Sequence, residues 1–264
     1  MMTANYMTVA DDDPPPTNAS CHDCQSVVTE PQYEGACNCC QRLLEIRCEG
    51  LTSVPRFRRL DCLLAVVYMA NQSIRSLEAD AFANLPTRRL VLNFNGLDDR
   101  LAAGAFGGNL SAAVEELYLG ACRLRALPPG LFDGMVNLTV LHLWHNFLRR
   151  IPPRLFSGCE NLRELILSNN VIASLEPNTF DGLRRLRKLD LDSNDISALS
   201  QDVFNGLANL QVSLQVIQFI LERKEDADLK SVATLQNIVS KYFHKFRVFV
   251  HVETNIEKFY RLLF

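Results

Sequence analysis

One phrase recurs through the middle of the chain and dictates its architecture. It has the form L-x-x-L-x-L-x-x-N-x-L, followed eight or nine residues later by a Phe. The clearest copies begin at Leu138, Leu162 and Leu186. Six copies align, starting at Leu64, Thr87, Val114, Leu138, Leu162 and Leu186, at spacings of 23, 27, 24, 24 and 24 residues, with a further 24 to Leu210. Self-similarity at a fixed period of this size is the mark of a solenoid. One coil cannot bury its own apolar side, so about three or more must stack before the unit is stable.

The period and the phrase specify an α/β leucine-rich repeat solenoid with a curved parallel β-sheet on its concave side. Within each copy the residues alternate as a strand does. In the fourth copy Leu141 and Leu143 point inward, while Val140, His142 and Trp144 point outward. Neighbouring coils set these short strands roughly 4.8 Å apart. The Asn position then becomes a ladder of Asn95, Asn146, Asn170 and Asn194, whose amides satisfy backbone groups where the chain bends away. Gln72 and Cys122 take that position in copies one and three, and Cys122 reads as a buried free thiol. Phe82, Phe106, Phe132, Phe156, Phe180 and Phe204 read as a core spine on the return half, with Cys159 also in the core. The second copy carries an insertion around Asp98, Asp99 and Arg100 and a loose stretch over 104–113, both expected to bulge without shifting the strands.

Seven of the nine cysteines crowd into the first quarter: Cys21, Cys24, Cys37, Cys39, Cys40, Cys48 and Cys62. The first coil of a solenoid would expose its apolar flank without a cap. A small element with little core is stapled by disulfides in an oxidising compartment. A zinc site drawn from Cys21, Cys24, Cys39 and Cys40 is the alternative, against which stand the spacing of the second pair and the lack of a completing His. Sequons at Asn18, Asn71, Asn109 and Asn137 add to the expectation of an oxidising, extracytoplasmic setting.

The two ends depart from the repeats. Residues 1–20 are acidic and Pro-rich and are expected to be disordered. Met1 to Val9 lacks the apolar stretch of a secretory leader, so either the protein is intracellular or, as expected here, the native start differs from this one. The organisation expected is therefore a leader at 1–20, a cysteine-rich cap at 21–63, six repeats at 64–210 and a non-repeat tail at 211–264. In the tail, apolar residues from Leu229 to Phe246 follow helical spacing. That tail is either a helix covering the last coil or sequence foreign to the solenoid.

Function is sought on the outward side chains of the sheet, which a solenoid holds rigid and free of core duty. The central column reads Tyr68, Val91, Tyr118, His142, Ile166 and Asp190. Beside it run Ala70, Asn93, Gly120, Trp144, Ser168 and Asp192. Tyr118, His142 and Trp144, the only Trp, belong to types favoured at binding hot spots. The candidate ligand face is Tyr68, Val91, Tyr118, His142, Trp144, Ile166, Asp190 and Asp192. No nucleophile elbow, phosphate loop or zinc-protease motif occurs, so the chain reads as no enzyme and calls for no cofactor or metal. A net charge of −3 argues against a nucleic-acid partner. No apolar run is long enough to span a membrane.

The segment Cys37-Asn-Cys39-Cys40, then Ile46-Arg-Cys48-Glu-Gly-Leu51, together with the six repeats, resembles extracellular leucine-rich repeat proteins of the arthropod type. Chaoptin-like, Toll-like and Slit-like ectodomains are similar, as is the non-catalytic subunit of oplophorus-luciferin monooxygenase. The resemblance implies a cap in which Cys24 pairs with Cys39 and Cys37 with Cys48, leaving Cys21, Cys40 and Cys62 unassigned. It also implies a secreted or cell-surface glycoprotein that binds a protein ligand or receptor in adhesion or recognition. The alternative it implies is a scaffold subunit that stabilises a partner enzyme.

Overall fold

The computed structural model describes residues 36–40 and 44–212, apart from positions 58, 61, 99, 197, 200, 201 and 208. Each repeat contributes one short strand where its L-x-x-L-x-L phrase begins. The strands are β1 (Ala36–Cys40), β2 (Glu45–Glu49), β3 (Leu64–Tyr68), β4 (Thr87–Val91), β5 (Glu116–Tyr118), β6 (Val140–His142), β7 (Glu164–Ile166), β8 (Ser174–Leu175), β9 (Lys188–Asp190), β10 (Ala198–Leu199) and β11 (Gln211–Val212). Nine of them form one sheet in the order β1-β2-β3-β4-β5-β6-β7-β9-β11, and β8 and β10 pair on the return side. Every pairing in the large sheet is parallel except that of β1 with β2. This is the arrangement of a solenoid, with each coil lying against its neighbours.

The register keeps equivalent residues side by side. Tyr68 pairs with Val91, Val91 with Tyr118, Tyr118 with His142, His142 with Ile166 and Ile166 with Asp190. The inward positions Val67, Leu90, Leu117, Leu141 and Leu165 are fully buried. Across the core the Phe spine is fully buried or nearly so, and its rings stack in pairs: Phe82 on Phe106 and Phe132 on Phe156 at 5.9 Å, Phe180 on Phe204 at 6.2 Å. Cys122 and Cys159 are buried free thiols, and burial pushes both up to about 12.

The ladder amides close the backbone bends. Asn146 accepts at Oδ1 from the amides of Cys122 and Leu124, both at 3.0 Å, and donates through Nδ2 to the carbonyls of Leu119 and Leu143 at 2.9 Å. Asn95, Asn170 and Asn194 each accept one such amide, from Ile74, Leu148 and Ile172, and donate Nδ2 to carbonyls of their own and the preceding coil. Cys122 supplies a weaker substitute, its Sγ 3.2 Å from the Leu92 carbonyl oxygen. Among the described residues no buried side-chain nitrogen or oxygen lacks a partner.

A second asparagine column, not anticipated from the repeats, runs along the return side. Asn84, Asn137, Asn161 and Asn209 each donate Nδ2 to a carbonyl of the preceding coil, those of Phe57, Ala112, Val136 and Arg184. The same residue that makes Asn137 a sequon therefore also ties two coils together.

At the start of the sheet β1 and β2 form an antiparallel pair that places Cys37 opposite Cys48, and these two are disulfide-bonded. Cys62 is disulfide-bonded as well. The expected Cys24–Cys39 bridge and the leader at 1–20 lie outside the described residues, as do Asn18, Cys21 and the tail beyond 212. The stretch over 104–113 is not loose throughout. It contains α1 (Asn109–Ala113), which begins after Gly108 at φ 68°, against Ala83, where a Cβ would overlap the backbone. At the other end the regular register continues past Leu210, since Gln211 pairs with Lys188 and Val212 with Leu189.

Candidate functional site

Two neighbouring regions on the outer side of the sheet carry the chemistry. The first is a network of polar side chains across its middle. Arg89 grips Glu116 with two hydrogen bonds, Nε to Oε2 at 2.6 Å and a second guanidinium nitrogen to Oε1 at 3.1 Å. The Tyr118 hydroxyl donates to the same Glu116 Oε2 at 2.7 Å. One coil on, His142 Nε2 and Lys188 Nζ both lie against Glu164 Oε1, at 3.0 and 3.1 Å. The Tyr118 and His142 rings meet edge to face with centroids 4.8 Å apart. Such directed contacts on a sheet make an ordered surface in which each charge has a local partner.

The electrostatics follow from these contacts. The hydrogen bond from His142, supported by Lys188, holds the Glu164 carboxyl down at about 2, against the cost of its partial burial. Burial and the charged acceptor Glu116 push the Tyr118 phenol well above its ordinary value. The Arg89 guanidinium is held charged by Glu116.

Tyr118 is less open than strand alternation alone suggests. It is only 9% exposed, and Ile166 and Ser168 are covered as well. At the strand spacing of roughly 4.8 Å, bulky neighbours in one column cover one another. Tyr68 lies under the Arg47 guanidinium, 4.2 Å from the ring centroid, which extends the column into the cap. Val91, His142, Asp190 and Asp192 are partly exposed, and Asp190 accepts from the Asp192 amide at 3.0 Å. The structure thus brings Tyr118 and His142 together.

Trp144 belongs to the second region. It reaches across Gly120 of the preceding coil and meets Phe94 of the coil before that, edge to face at 5.6 Å. Its other aromatic neighbour is His145, at 5.5 Å. Phe94 sits in the left-handed region at φ 61° and is 42% exposed. The equivalent residue of every coil is left-handed too: Asn71, Ala121, His145, Asn169 and Ser193. Asn and His suit that conformation, whereas a bulky apolar ring there is an outlier. Beside Phe94 lies a cleft of about 610 Å³ lined by Arg75, Arg100, Arg123, Asp98 and Gln72. Phe147, 52% exposed, follows the ladder residue Asn146.

The sequence reading did not single out Phe94 or these three arginines. The signal available to it was the oddity of a Phe among Asn, Ala, His and Ser at one repeat position. Of the sequon asparagines, Asn71, Asn109 and Asn137 are exposed. Among the described residues no cluster of His, Cys, Asp and Glu could hold a metal ion, and no helix is long and apolar enough to cross a membrane.

The leucine rich repeat family model matches residues 112–172 and 136–196. No curated protein matches the chain. Among solved structures the chain is similar to that described as the crystal structure of the TLR13-ssRNA13 complex, with 33% identity and a TM-score of 0.51. That likeness covers 57% of this chain but only 21% of the other, so the matched part spans about a fifth of that chain's length. The parallel sheet, the asparagine ladder, the Phe spine and the matched repeats together make this chain a leucine-rich repeat solenoid with a disulfide at its N-terminal side.

Proposed function

We propose that this solenoid is an extracellular or cell-surface recognition module that binds a protein ligand through the outer face of its sheet, in adhesion or receptor recognition. The observation that carries the reading is the Tyr118–His142 pair, held edge to face at 4.8 Å while Glu116 and Glu164 fix each ring through its polar atom. A face ordered before binding loses little side-chain freedom on association. Aromatic anchors beside charged groups are the residue types that dominate binding energy. The Cys37–Cys48 disulfide and the exposed sequons Asn71, Asn109 and Asn137 support the oxidising location. The RNA named with the TLR13 neighbour belongs to that protein, and the partner proposed for this chain is a protein.

The test is a screen of the immobilised chain against a panel of purified ectodomains, followed by affinity measurements on the hit. His142→Ala and Trp144→Ala are each expected to weaken binding tenfold or more with the circular dichroism spectrum unchanged. Unaltered affinity in both variants moves the binding surface elsewhere.

A further inference from the structure

We infer that the cleft between Arg75, Arg100 and Arg123 is a subsite for an acidic peptide segment, with Phe94 as its apolar wall. This deepens the protein-recognition reading and rests on it.

Three observations carry the inference. Three arginines line one cleft and are exposed, and none has a side-chain hydrogen bond or ion-pair partner among the described residues. Elsewhere on the sheet face Arg89, Lys188 and Arg47 are each engaged by a carboxylate or a ring. Arginines without a partner among the described residues are available to carboxylates, which they take in a bidentate grip. The cleft, about 610 Å³ and open to solvent, accommodates several side chains of a peptide. Finally, Phe94 is kept exposed in a left-handed conformation that disfavours it, at a repeat position where the other coils carry Asn, Ala, His or Ser. Trp144 buttresses it from behind through their edge contact. An apolar wall beside three cations fits a segment that alternates carboxylates with an apolar or aromatic side chain.

The Asp98 carboxylate also lines the cleft, and it selects between polyanions. A nucleic-acid strand carries a phosphate on every nucleotide and meets Asp98 with repulsion. A peptide can turn a backbone N–H toward Asp98 and keep its carboxylates for the arginines.

The experiment uses the full disulfide-intact chain and fluorescence anisotropy at physiological ionic strength. The probe is a fluorescein-labelled peptide with two glutamates on each side of a phenylalanine. The same peptide with glutamines and a labelled single-stranded oligouridylate are the comparisons. The glutamate peptide is expected to bind at least tenfold more tightly than the glutamine peptide. Arg75→Gln and Arg123→Gln each weaken it about tenfold. Phe94→Asn weakens it severalfold, with the fold retained because Asn accepts the left-handed backbone, as at Asn71 and Asn169. Equal binding of the two peptides, or wild-type binding by both arginine variants, overturns the proposal. Tighter binding of the oligouridylate overturns it in favour of a nucleic-acid strand. Loss of ectodomain binding in His142→Ala reports on the sheet face, and loss of glutamate-peptide binding in Arg75→Gln and Arg123→Gln reports on the cleft, so the two readings fail separately.

Discussion

The Trp144 side chain occupies the space above Gly120 that a Cβ would fill, with Cε2, Nε1 and Cζ2 of the indole inside contact distance of that position. Gly120 is not among the residues at positive φ, so it is required for the room it leaves and not for its backbone freedom. Gly120→Ala should therefore displace the indole without straining the chain, breaking the contact with Phe94 as it does so. The stability loss should be about 1–2 kcal/mol, from overpacking and the lost ring pair. Because Trp144 is the only Trp, its emission reports the change directly: a red shift and easier quenching by iodide in the variant. Emission identical to wild type would show that the indole rests elsewhere.

The two asparagine columns should differ sharply in energetic weight. Asn146 is buried and serves two amides and three carbonyls. Asn146→Ala leaves those groups unpaired away from water, at a cost of about 2–4 kcal/mol. Asn161 makes its bond to the Val136 carbonyl in an exposed position where water can replace it. Asn161→Ala should cost less than about 1 kcal/mol. Urea denaturation of the two variants checks the contrast, and equal midpoints would refute it.

The architecture was readable because a solenoid repeats its physics. The inward leucines, the Asn95-to-Asn194 ladder and the Phe spine recur at one spacing, so a single copy predicts the others. The register from Tyr68 to Asp190 follows from the same alignment. What alternation could not supply was the lateral packing of side chains that all point outward. It identified Tyr118 as an outward residue but not that Glu116 and His142 cover it. It grouped Trp144 with Tyr118, whereas the indole turns the other way because Gly120 leaves a gap there. The arginine cleft was missed for a different reason. Arg75, Arg100 and Arg123 do not occupy one repeat position, so only the fold brings them to one cleft.

The Cys37–Cys48 bridge closes a short loop across a two-stranded element at the end of the sheet, with β2 pairing in turn with β3. Cys37→Ser with Cys48→Ser should lower stability by about 2–3 kcal/mol, the loop-closure magnitude for a separation of this order. The loss should be local, because a solenoid couples each coil only to its neighbours. Hydrogen exchange should accelerate around Ile46, Leu51 and Val67 before it changes at Leu165 or Leu189. Cys122 and Cys159, buried and held protonated, should stay unmodified by iodoacetamide in the native chain and react after unfolding. Uniform acceleration across all coils would contradict this view of the cap.

Acid should act on the sheet face through Glu164. Its carboxyl is held down at about 2 from an ordinary 4.5, with the His142 hydrogen bond the largest cause and Lys188 the next helper. A carboxyl depressed in the folded state contributes stability that is complete above its unfolded value and is lost as pH falls through the folded one. The window is therefore between about pH 4.5 and pH 2. The group is 30% exposed, so screening by water reduces the effect to about 1–2 kcal/mol. Thermal melts across that window should show a steep fall for the wild type and a shallower one for Glu164→Gln, which carries no titrating group at this site. His142→Ala should also flatten the profile, since it removes the main donor to Glu164. Parallel profiles for all three proteins would mean that the acid sensitivity resides elsewhere and that the His142–Glu164 contact contributes little.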